Sequence, residues 1–397
     1  MLKSIPPAGT QIKFAEIFGS LSSILSKGHS SEEFRQRFCE YFQVKDCFLT
    51  SSGRAALTLI LKTLKRLRNK DEVIIPAYTC FSVPSAIAKA GLKIKLCDIS
   101  LETLDLDSEK WLNLIDENTL AVLPVYHFGL AHSNMDIIAH CREKKVFVIE
   151  DVAQAMGAKF RNQYLGTFGD VGFFSLGRGK NITAVEGGII LSQDEEVSSL
   201  LKQELSNLRK TPGIEFFCKT LIYKIFLNPH LYWIPEGIPA LKLGESEFSL
   251  DFDLHSLSEY QAKVGASLLH RLEDINRIRI RNASYLISGL KDSDNVSLFP
   301  LHDESYSVYL RLPILFKDSS ERERVFQSLK KKKLGASKMY PTSLDKIPGI
   351  EKYLASSLDE LVKSHQVEKT ILTLPTHPYL KENDLHNIIE IIKEGGK

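Results

Sequence analysis

The sequence predicts an α/β fold in which helices cover both faces of a mostly parallel sheet. Short apolar segments alternate with helical patterns through the first half of the chain, as strands and helices do in βαβ units. The composition, 43% hydrophobic and 25% charged, is typical of globular proteins. The 397 residues suffice for two or three domains.

The predicted strands of the first half are short, apolar and bounded by turn residues or by helical patterns. They cover residues 47–50, 73–75, 94–97, 120–125, 146–149, 173–175 and 189–191. The helices predicted between them cover residues 33–42, 54–66, 81–90 and 134–144.

The second half of the chain has a different pattern of apolar residues and predicted elements. We expect a large domain over residues 1–206, an apolar insertion or linker over 207–250, and a smaller α+β domain over 251–397. The elements predicted after the insertion are one or two helices in 254–290, a strand at 307–316, and helices at 319–333 and 381–393.

Charge and cysteine usage exclude several classes of protein. Lys and Arg total 51 and Asp and Glu total 49, a formal net charge of +2, which is unlike a dedicated nucleic-acid binder. The six cysteines form no C-x-x-C pair, so we expect no disulfide framework and no metal site. The N-terminus lacks an apolar signal core, and no apolar run approaches the roughly 20 residues that span a bilayer. We expect a soluble cytoplasmic protein.

Two candidate catalytic residues follow predicted strands. Asp151 lies at the carboxyl end of strand 146–149, the end at which open α/β sheets bind ligands. Lys180 follows strand 173–175, and a desolvated lysine amine can act as a nucleophile. Taken alone, Asp151 is also typical of a helix cap or a core ion pair, and Lys180 of a solvated loop.

A phosphate site is predicted from a second group of residues. Gly53 and Arg54 begin a helix, where backbone N–H groups bind anions, and Ser175 offers a hydroxyl. A lysine, a carboxylate and a phosphate cradle together are what pyridoxal phosphate needs. Glycines near the lysine are expected to let the backbone approach a planar ligand closely. They are Gly177, Gly179, Gly187 and Gly188.

Several ordered motifs resemble the DegT/StrS-type aminotransferases, which are pyridoxal-phosphate enzymes of fold type I. The resemblance covers nearly the whole chain. It rests on SSGRAAL, DEVIIPAYTC, IEDVAQAMGA, LGTFGDVGFFSLGRGKNIT, MYPTSL and LTLPTHPYL.

The resemblance implies a role for each candidate residue. Lys180 would bind pyridoxal 5'-phosphate covalently, and Asp151 would pair with the ring nitrogen. Gln154 matches the family residue near the ring oxygen. Ser175 and the Gly53–Arg54 turn would hold the phosphate.

The resemblance also implies an activity. The protein would be a homodimeric aminotransferase that moves an amino group, expected to come from glutamate, to a keto sugar linked to a nucleotide, for polysaccharide or glycoconjugate synthesis. One alternative is a related sugar dehydratase, but those relatives typically carry His where this chain has Lys180. Another is a regulatory or membrane-associated protein that binds the cofactor without turnover.

This chain departs from the family pattern in three places. Cys80, followed by Phe81, stands where an aromatic residue often covers the ring. Residues 254–256 replace the family's Asn-Tyr-Arg, whose Asn reaches the phosphate of the neighbouring subunit. The third departure is the insertion at 212–247, which is longer and more apolar than usual.

The insertion contains a predicted amphipathic helix at 214–227. Its polar residues fall on one narrow stripe and leave a wide apolar face, which we expect to pack within the dimer or over the active site. Peripheral contact with a membrane or a lipid-linked substrate through residues 213–241 is the alternative. The polar stripe comprises Glu215, Lys219, Thr220 and Lys224.

Overall fold

The computed structural model describes residues 3–238, 247–300, 302–355 and 360–396. The helices of the first half are α1 (Phe14–Gly19), α2 (His29–Phe42), α3 (Gly53–Leu67), α4 (Ser82–Lys89), α5 (Met135–Glu143) and α6 (Glu195–Ser206). The strands are β1 (Asp46–Thr50), β2 (Glu72–Pro76), β3 (Lys93–Cys97), β4 (Thr119–Val122), β5 (Phe147–Asp151), β6 (Lys159–Phe160), β7 (Gln163–Tyr164), β8 (Val171–Ser175) and β9 (Gly188–Ser192).

The predicted α/β class is confirmed. Seven strands form one sheet in the order β1-β9-β8-β5-β4-β2-β3. The pairs from β8 to β3 are parallel, and β9 runs antiparallel to both of its neighbours. Strands β2, β4, β5 and β9 are buried throughout, as expected when helices cover both faces of a sheet.

The second half of the chain contains a smaller sheet. The helices of this half are α7 (Gly213–Phe226), α8 (Trp233–Glu236), α9 (Glu259–Leu269), α10 (Leu272–Leu290), α11 (Ser319–Lys331), α12 (Val362–Thr370) and α13 (Glu382–Lys393). The strands of this half are β10 (Val296–Leu298), β11 (Ser305–Tyr306), β12 (Arg311–Phe316) and β13 (Ile371–Pro375). Strands β10, β12 and β13 form an antiparallel sheet, and α10, α11 and α13 pack on it around an aliphatic core.

Packing crosses the predicted segment boundaries. Helix α9 packs against α2 and α7, and shares their hydrophobic core. The N-terminal segment in turn packs against the second half of the chain, because Ile5 lies in the hydrophobic core of the smaller sheet. The division at residues 206 and 250 stays a prediction.

Helix α7 turns one side inward and leaves isoleucines outside. Phe216 and Thr220 are buried, so Thr220 does not belong to the exposed polar stripe that the sequence predicts. Its hydroxyl donates to the carbonyl of Phe216 at 2.6 Å, which satisfies it within the helix. Ile222 is 56% exposed and Ile225 is 39% exposed. Residues 239–246 of the insertion lie outside the described residues.

Among the described residues, no helix combines the length and apolar character that crossing a bilayer requires.

Asp98 joins the two sheets. It follows β3, is 1% exposed, and accepts hydrogen bonds from the backbone N–H groups of Lys363 and Ser364 at 3.0 and 2.8 Å. Burial by itself raises the pKa of Asp98, but these bonds and the Ser364 hydroxyl lower it overall. The carboxylate thus caps α12 from another part of the chain.

We expect Asp98→Ala to lower the free energy of unfolding by about 2 to 4 kcal/mol, because buried donors of α12 lose their acceptor. Since the pKa of Asp98 is lowered in the folded protein, this difference is full above its ordinary value of 3.8. It disappears as the pH falls through the lowered pKa. Urea unfolding at several pH values measures it. Asp98→Asn retains one acceptor and should lose less; equal losses would contradict the capping role.

Candidate active site

Lys180 lies in a loop that follows β8 and is tightly held. The Leu176 N–H donates to the carbonyl of Gly187 at 2.8 Å, and the Thr183 hydroxyl donates to the carbonyl of Leu176 at 3.0 Å. The carbonyl of Lys180 itself accepts from the hydroxyl of Thr10. The backbone of the lysine is therefore fixed from two parts of the chain.

The Lys180 side chain is partly buried. Burial lowers its pKa, and the charge of Arg311 lowers it further, while Cys80 and Asp151 act in the opposite direction. A lysine with a lowered pKa releases its proton more easily and becomes a better nucleophile.

Asp151 ends β5 and is 5% exposed. Its carboxylate accepts from the Ala153 N–H at 2.9 Å. Burial raises the pKa of Asp151 to about 6, against the opposing effects of the Ala153 bond and of Lys180. A buried acid with so few partners favours a cationic group beside it.

The neighbouring Glu150 has a different role. It is 0% exposed and accepts from the N–H groups of Gly166, Phe168 and Gly169 at 2.8 to 3.0 Å. The Tyr126 hydroxyl also donates to it, at 3.0 Å. These bonds satisfy Glu150 inside the protein, so only Asp151 of the pair remains for a ligand.

The predicted phosphate residues lie together. Strands β1, β8 and β5 run in the same direction, so their carboxyl ends share one edge of the sheet. A Cβ on Gly53 would lie 3.1 Å from the Cβ of Ser175, which places the start of α3 against the end of β8. The Ser52 side chain caps α3 by accepting from Ala55 N–H at 3.0 Å. The result is a helix N-terminus facing a hydroxyl, which suits an anion.

Arg54 lies in the same turn. Its guanidinium stacks over the ring of Phe252, 5.0 Å from the centroid, and burial lowers its pKa. It forms no ion pair with any residue that the structure describes. It is therefore a second positive group beside the cradle.

Gln154 is 7% exposed and fixed at both ends of its amide. Its Oε1 accepts from the Phe128 N–H at 3.0 Å, and its Nε2 donates to the hydroxyl of Tyr340 at 2.5 Å. Tyr340 is buried and lies close enough to Cys80 and Asp151 for both to raise its pKa. Gln154 and Tyr340 thus border the same space as Asp151.

Glycines near the lysine have close neighbours within the protein. A Cβ on Gly188 would lie 2.3 Å from the carbonyl oxygen of Ser52, and one on Gly179 would lie 2.9 Å from the Cβ of Ala8. These glycines let parts of the protein approach each other closely. Their contact with a planar ligand stays a prediction.

Two of the departures from the family pattern, Cys80 and residues 254–256, lie near the site. Cys80 lies near both Lys180 and Arg54. The His255 carbonyl accepts from the Ser51 N–H at 2.9 Å, so the 254–256 segment packs against the turn before α3 within the same chain.

Sequence reasoning missed Tyr340 and Arg311. Tyr340 stands in the MYPTSL motif, which carried the resemblance without a role for the tyrosine. Arg311 is the one charged residue at the start of an otherwise apolar strand, a signal that could have found it. The roles of the residues that were predicted, from Gly53 to Lys180, stay predictions.

The family profile of the DegT/DnrJ/EryC1/StrS aminotransferase family matches residues 13–219 and 246–393. Among curated proteins, the chain is similar to the spore coat polysaccharide biosynthesis protein SpsC of Bacillus subtilis (strain 168). The two are 26% identical over 397 residues, which cover 98% of this chain and 96% of SpsC.

Two solved structures share the fold. Helicobacter pylori PseC, an aminotransferase involved in the biosynthesis of pseudoaminic acid, has a TM-score of 0.81 at 19% identity and covers 99% of both chains. The E. coli GDP-4-keto-6-deoxy-D-mannose-3-dehydratase with bound hydrated PLP has a TM-score of 0.76 at 22% identity and covers 100% of both. The profile match spans most of the chain, and the chain belongs to the DegT/DnrJ/EryC1/StrS aminotransferase family.

Proposed function

We propose that the protein transfers an amino group from glutamate to a keto sugar linked to a nucleotide, in the synthesis of a cell-surface polysaccharide or glycoconjugate. Pyridoxal 5'-phosphate is the cofactor, and the cytoplasm, where such sugars are available, is the place of action. The observation that carries the proposal is the partly buried Lys180, whose amine has a lowered pKa, close to the buried carboxylate of Asp151.

The residues present fit this cofactor. Its aldehyde requires an amine that can lose a proton, and burial lowers the pKa of Lys180. Its ring nitrogen requires an acid, and Asp151 is buried without a cationic hydrogen-bond partner among the described residues. Its phosphate requires a small cradle, and Gly53 lies so close to Ser175 that a side chain there would have to displace its neighbour.

Each residue then has a task. Lys180 moves a proton between its amine and the substrate carbon. Asp151 keeps a proton on the ring nitrogen through its negative charge. Gln154 and Ser175 orient the ring and the phosphate. Bound pyridoxal phosphate supplies the sink for the electrons of the broken C–H bond.

Lys180 also favours an aminotransferase over the dehydratase alternative. The resemblance gives those dehydratases His at this position, and a lysine can both bind the cofactor and return a proton. The intact Lys180 and Asp151 pair argues equally against a protein that binds the cofactor without turnover.

We expect Lys180→Ala to abolish turnover while the fold persists, because the proposed role of the amine is in the reaction and not in folding. Single-turnover assays with glutamate and keto sugars measure it, and circular dichroism checks the fold. Borohydride should attach the cofactor to Lys180 in the unchanged protein but not in Lys180→Ala. The exposed Lys202 provides the control, since Lys202→Ala should leave all of these unchanged. Activity retained in Lys180→Ala would refute the assignment.

Asp151→Asn should have opposite effects on stability and on activity. Because burial raises the pKa of Asp151 to about 6, its ionised form destabilises the cofactor-free fold above that pH. We expect the variant without cofactor to be more stable than the unchanged protein at pH 8, by about 2 to 3 kcal/mol. The gain should shrink as the pH falls below 6 and vanish well below 3.8, the ordinary pKa of the acid, where it is protonated in both the folded and unfolded states.

The same variant should lose turnover by about 100-fold or more, since the neutral amide cannot hold the ring nitrogen protonated. Thermal unfolding of the cofactor-free proteins at pH 8 and pH 4 measures the change in stability. Turnover of the proteins loaded with cofactor measures the change in activity. A variant that is active within a few-fold of the unchanged protein would show that Asp151 is structural only.

The proposed partner is a second copy of this chain, packed against the outer side of α7. Ile222 and Ile225 are exposed there, whereas Phe217 packs edge-on against Tyr260 of its own chain, 5.9 Å between centroids. Ile222→Asp with Ile225→Asp should therefore give monomers without unfolding the chain. Sedimentation velocity measures this. A variant that stays dimeric but no longer co-sediments with liposomes would favour membrane contact instead.

A further inference from the structure

Arg311 is a buried guanidinium without a partner. It is 8% exposed, and its side chain forms no hydrogen bond or ion pair with any residue that the structure describes. Its Nη1 is fully buried and unsatisfied. Removing an arginine from water without an acceptor is costly, so such a group is expected to meet an anion in the working protein.

The groups that face Arg311 do not neutralise it. They are the amine of Lys180, the guanidinium of Arg279, the ring of His377, and the phenols of Tyr232 and Tyr340. Burial lowers the pKa of Arg311 to about 10, although the phenols of Tyr232 and Tyr340 act to raise it. The side chain therefore keeps its charge at neutral pH. Among the described residues, no carboxylate acts with these groups on the charge of Arg311.

A chain of hydrogen bonds holds Arg311 beside the lysine loop. Arg279 donates to the carbonyl of Leu310 at 3.1 Å and, through its other Nη, to the carbonyl of Gly9 at 2.8 Å. The same nitrogen reaches the hydroxyl of Thr10 at 3.3 Å, and that hydroxyl donates to the carbonyl of Lys180. The start of β12 and the lysine are thus fixed to one another through Arg279.

A second contact fixes the start of β12 against the cofactor side. The Val308 N–H donates to the carbonyl of Gly129 at 2.9 Å, which is why β12 begins at Arg311 and not at residue 307 as the sequence predicts. A Cβ on Gly129 would lie 2.8 Å from the Leu310 nitrogen and 3.1 Å from the Gln154 carbonyl. The glycine therefore lets Leu310 and Gln154 approach from opposite sides.

We propose that Arg311 binds the α-carboxylate of the amino-acid donor while the donor's amino group lies at Lys180. This inference rests on the proposed function. In an α-amino acid, the carboxylate is two bonds from the amino nitrogen, so its binding group must lie beside the lysine amine. The diphosphate of a nucleotide-linked sugar is several bonds farther from the reacting carbon. The cofactor phosphate has its own cradle at Gly53 and Ser175.

Tyr232 makes the site particular to this chain. It faces Arg311 from residues 220–245, which the family profile does not match. Its phenol offers a neutral donor to the second oxygen of the carboxylate. The insertion thus contributes to the donor site.

The test uses the protein loaded with pyridoxal phosphate and two donors, L-glutamate and its α-amide isoglutamine. In single turnovers followed by cofactor absorbance, the unchanged protein should prefer glutamate strongly. Arg311→Gln should lose about 100-fold in the apparent affinity for glutamate. It should change isoglutamine by less than about threefold, because that donor lacks the charge that Arg311 binds.

Matched variants separate binding from structure. Arg311→Lys should restore part of the preference for glutamate, since it keeps the charge but not the two-pronged geometry. Arg277→Gln, at an exposed arginine on α10, should have no effect. Calorimetry with glutarate, a dicarboxylate that does not react, should show binding to the unchanged protein that Arg311→Gln loses.

Three results would overturn the inference. Equal losses for glutamate and isoglutamine would make Arg311 a structural residue. A loss confined to the step with the keto sugar would place the diphosphate at Arg311. Unaltered glutarate binding in Arg311→Gln would exclude a carboxylate site. A protein that reacts with no amino acid at all would refute the proposed function, and the glutarate titration would still decide the role of Arg311.

Discussion

Holding one partly desolvated amine in place is the constraint on which the rest of this structure depends. Burial lowers the pKa of Lys180, and the positive charge of Arg311 lowers it further. Exposure to solvent would restore the ordinary pKa of such an amine, so the loop that carries the lysine must be held in place. The Lys180 carbonyl accepts from the hydroxyl of Thr10, which fixes the loop through its backbone.

Three distant parts of the chain converge on that loop. The N-terminal segment supplies Thr10, whose N–H donates to the hydroxyl of Tyr223 on α7 at 3.1 Å. Helix α7 also binds the far end of the loop, where Lys219 pairs with Glu186 at 3.0 Å. The smaller sheet reaches it through Arg279. The apolar insertion therefore supports the loop that carries Lys180, and its outer side is the surface proposed to meet a second copy of the chain.

The sequence was informative wherever a local pattern determines structure. Apolar runs predicted the strands of the large sheet, and Asp151 and Ser175 lie at its carboxyl edge because parallel strands end together. Patterns failed where contacts are long-range. Gly188 packs against the backbone of Ser52 at the start of α3, a contact that no local pattern predicts. Arg311 is remote from Lys180 in sequence, and only the fold brings its charge to the amine.

The charge balance of the site points to its ligands. Lys180, Arg54 and Arg311 bring positive charge to the site, and Asp151 is the acid that acts on Lys180, with Glu150 turned away toward its own backbone partners. Such a site is unfavourable when empty, since like charges repel in a medium of low polarity. A phosphate at Arg54 and a carboxylate at Arg311 would offset that cost from two sides. The binding of anionic cofactor and anionic donor is then favoured by the same excess of charge that keeps the Lys180 amine poised to lose its proton.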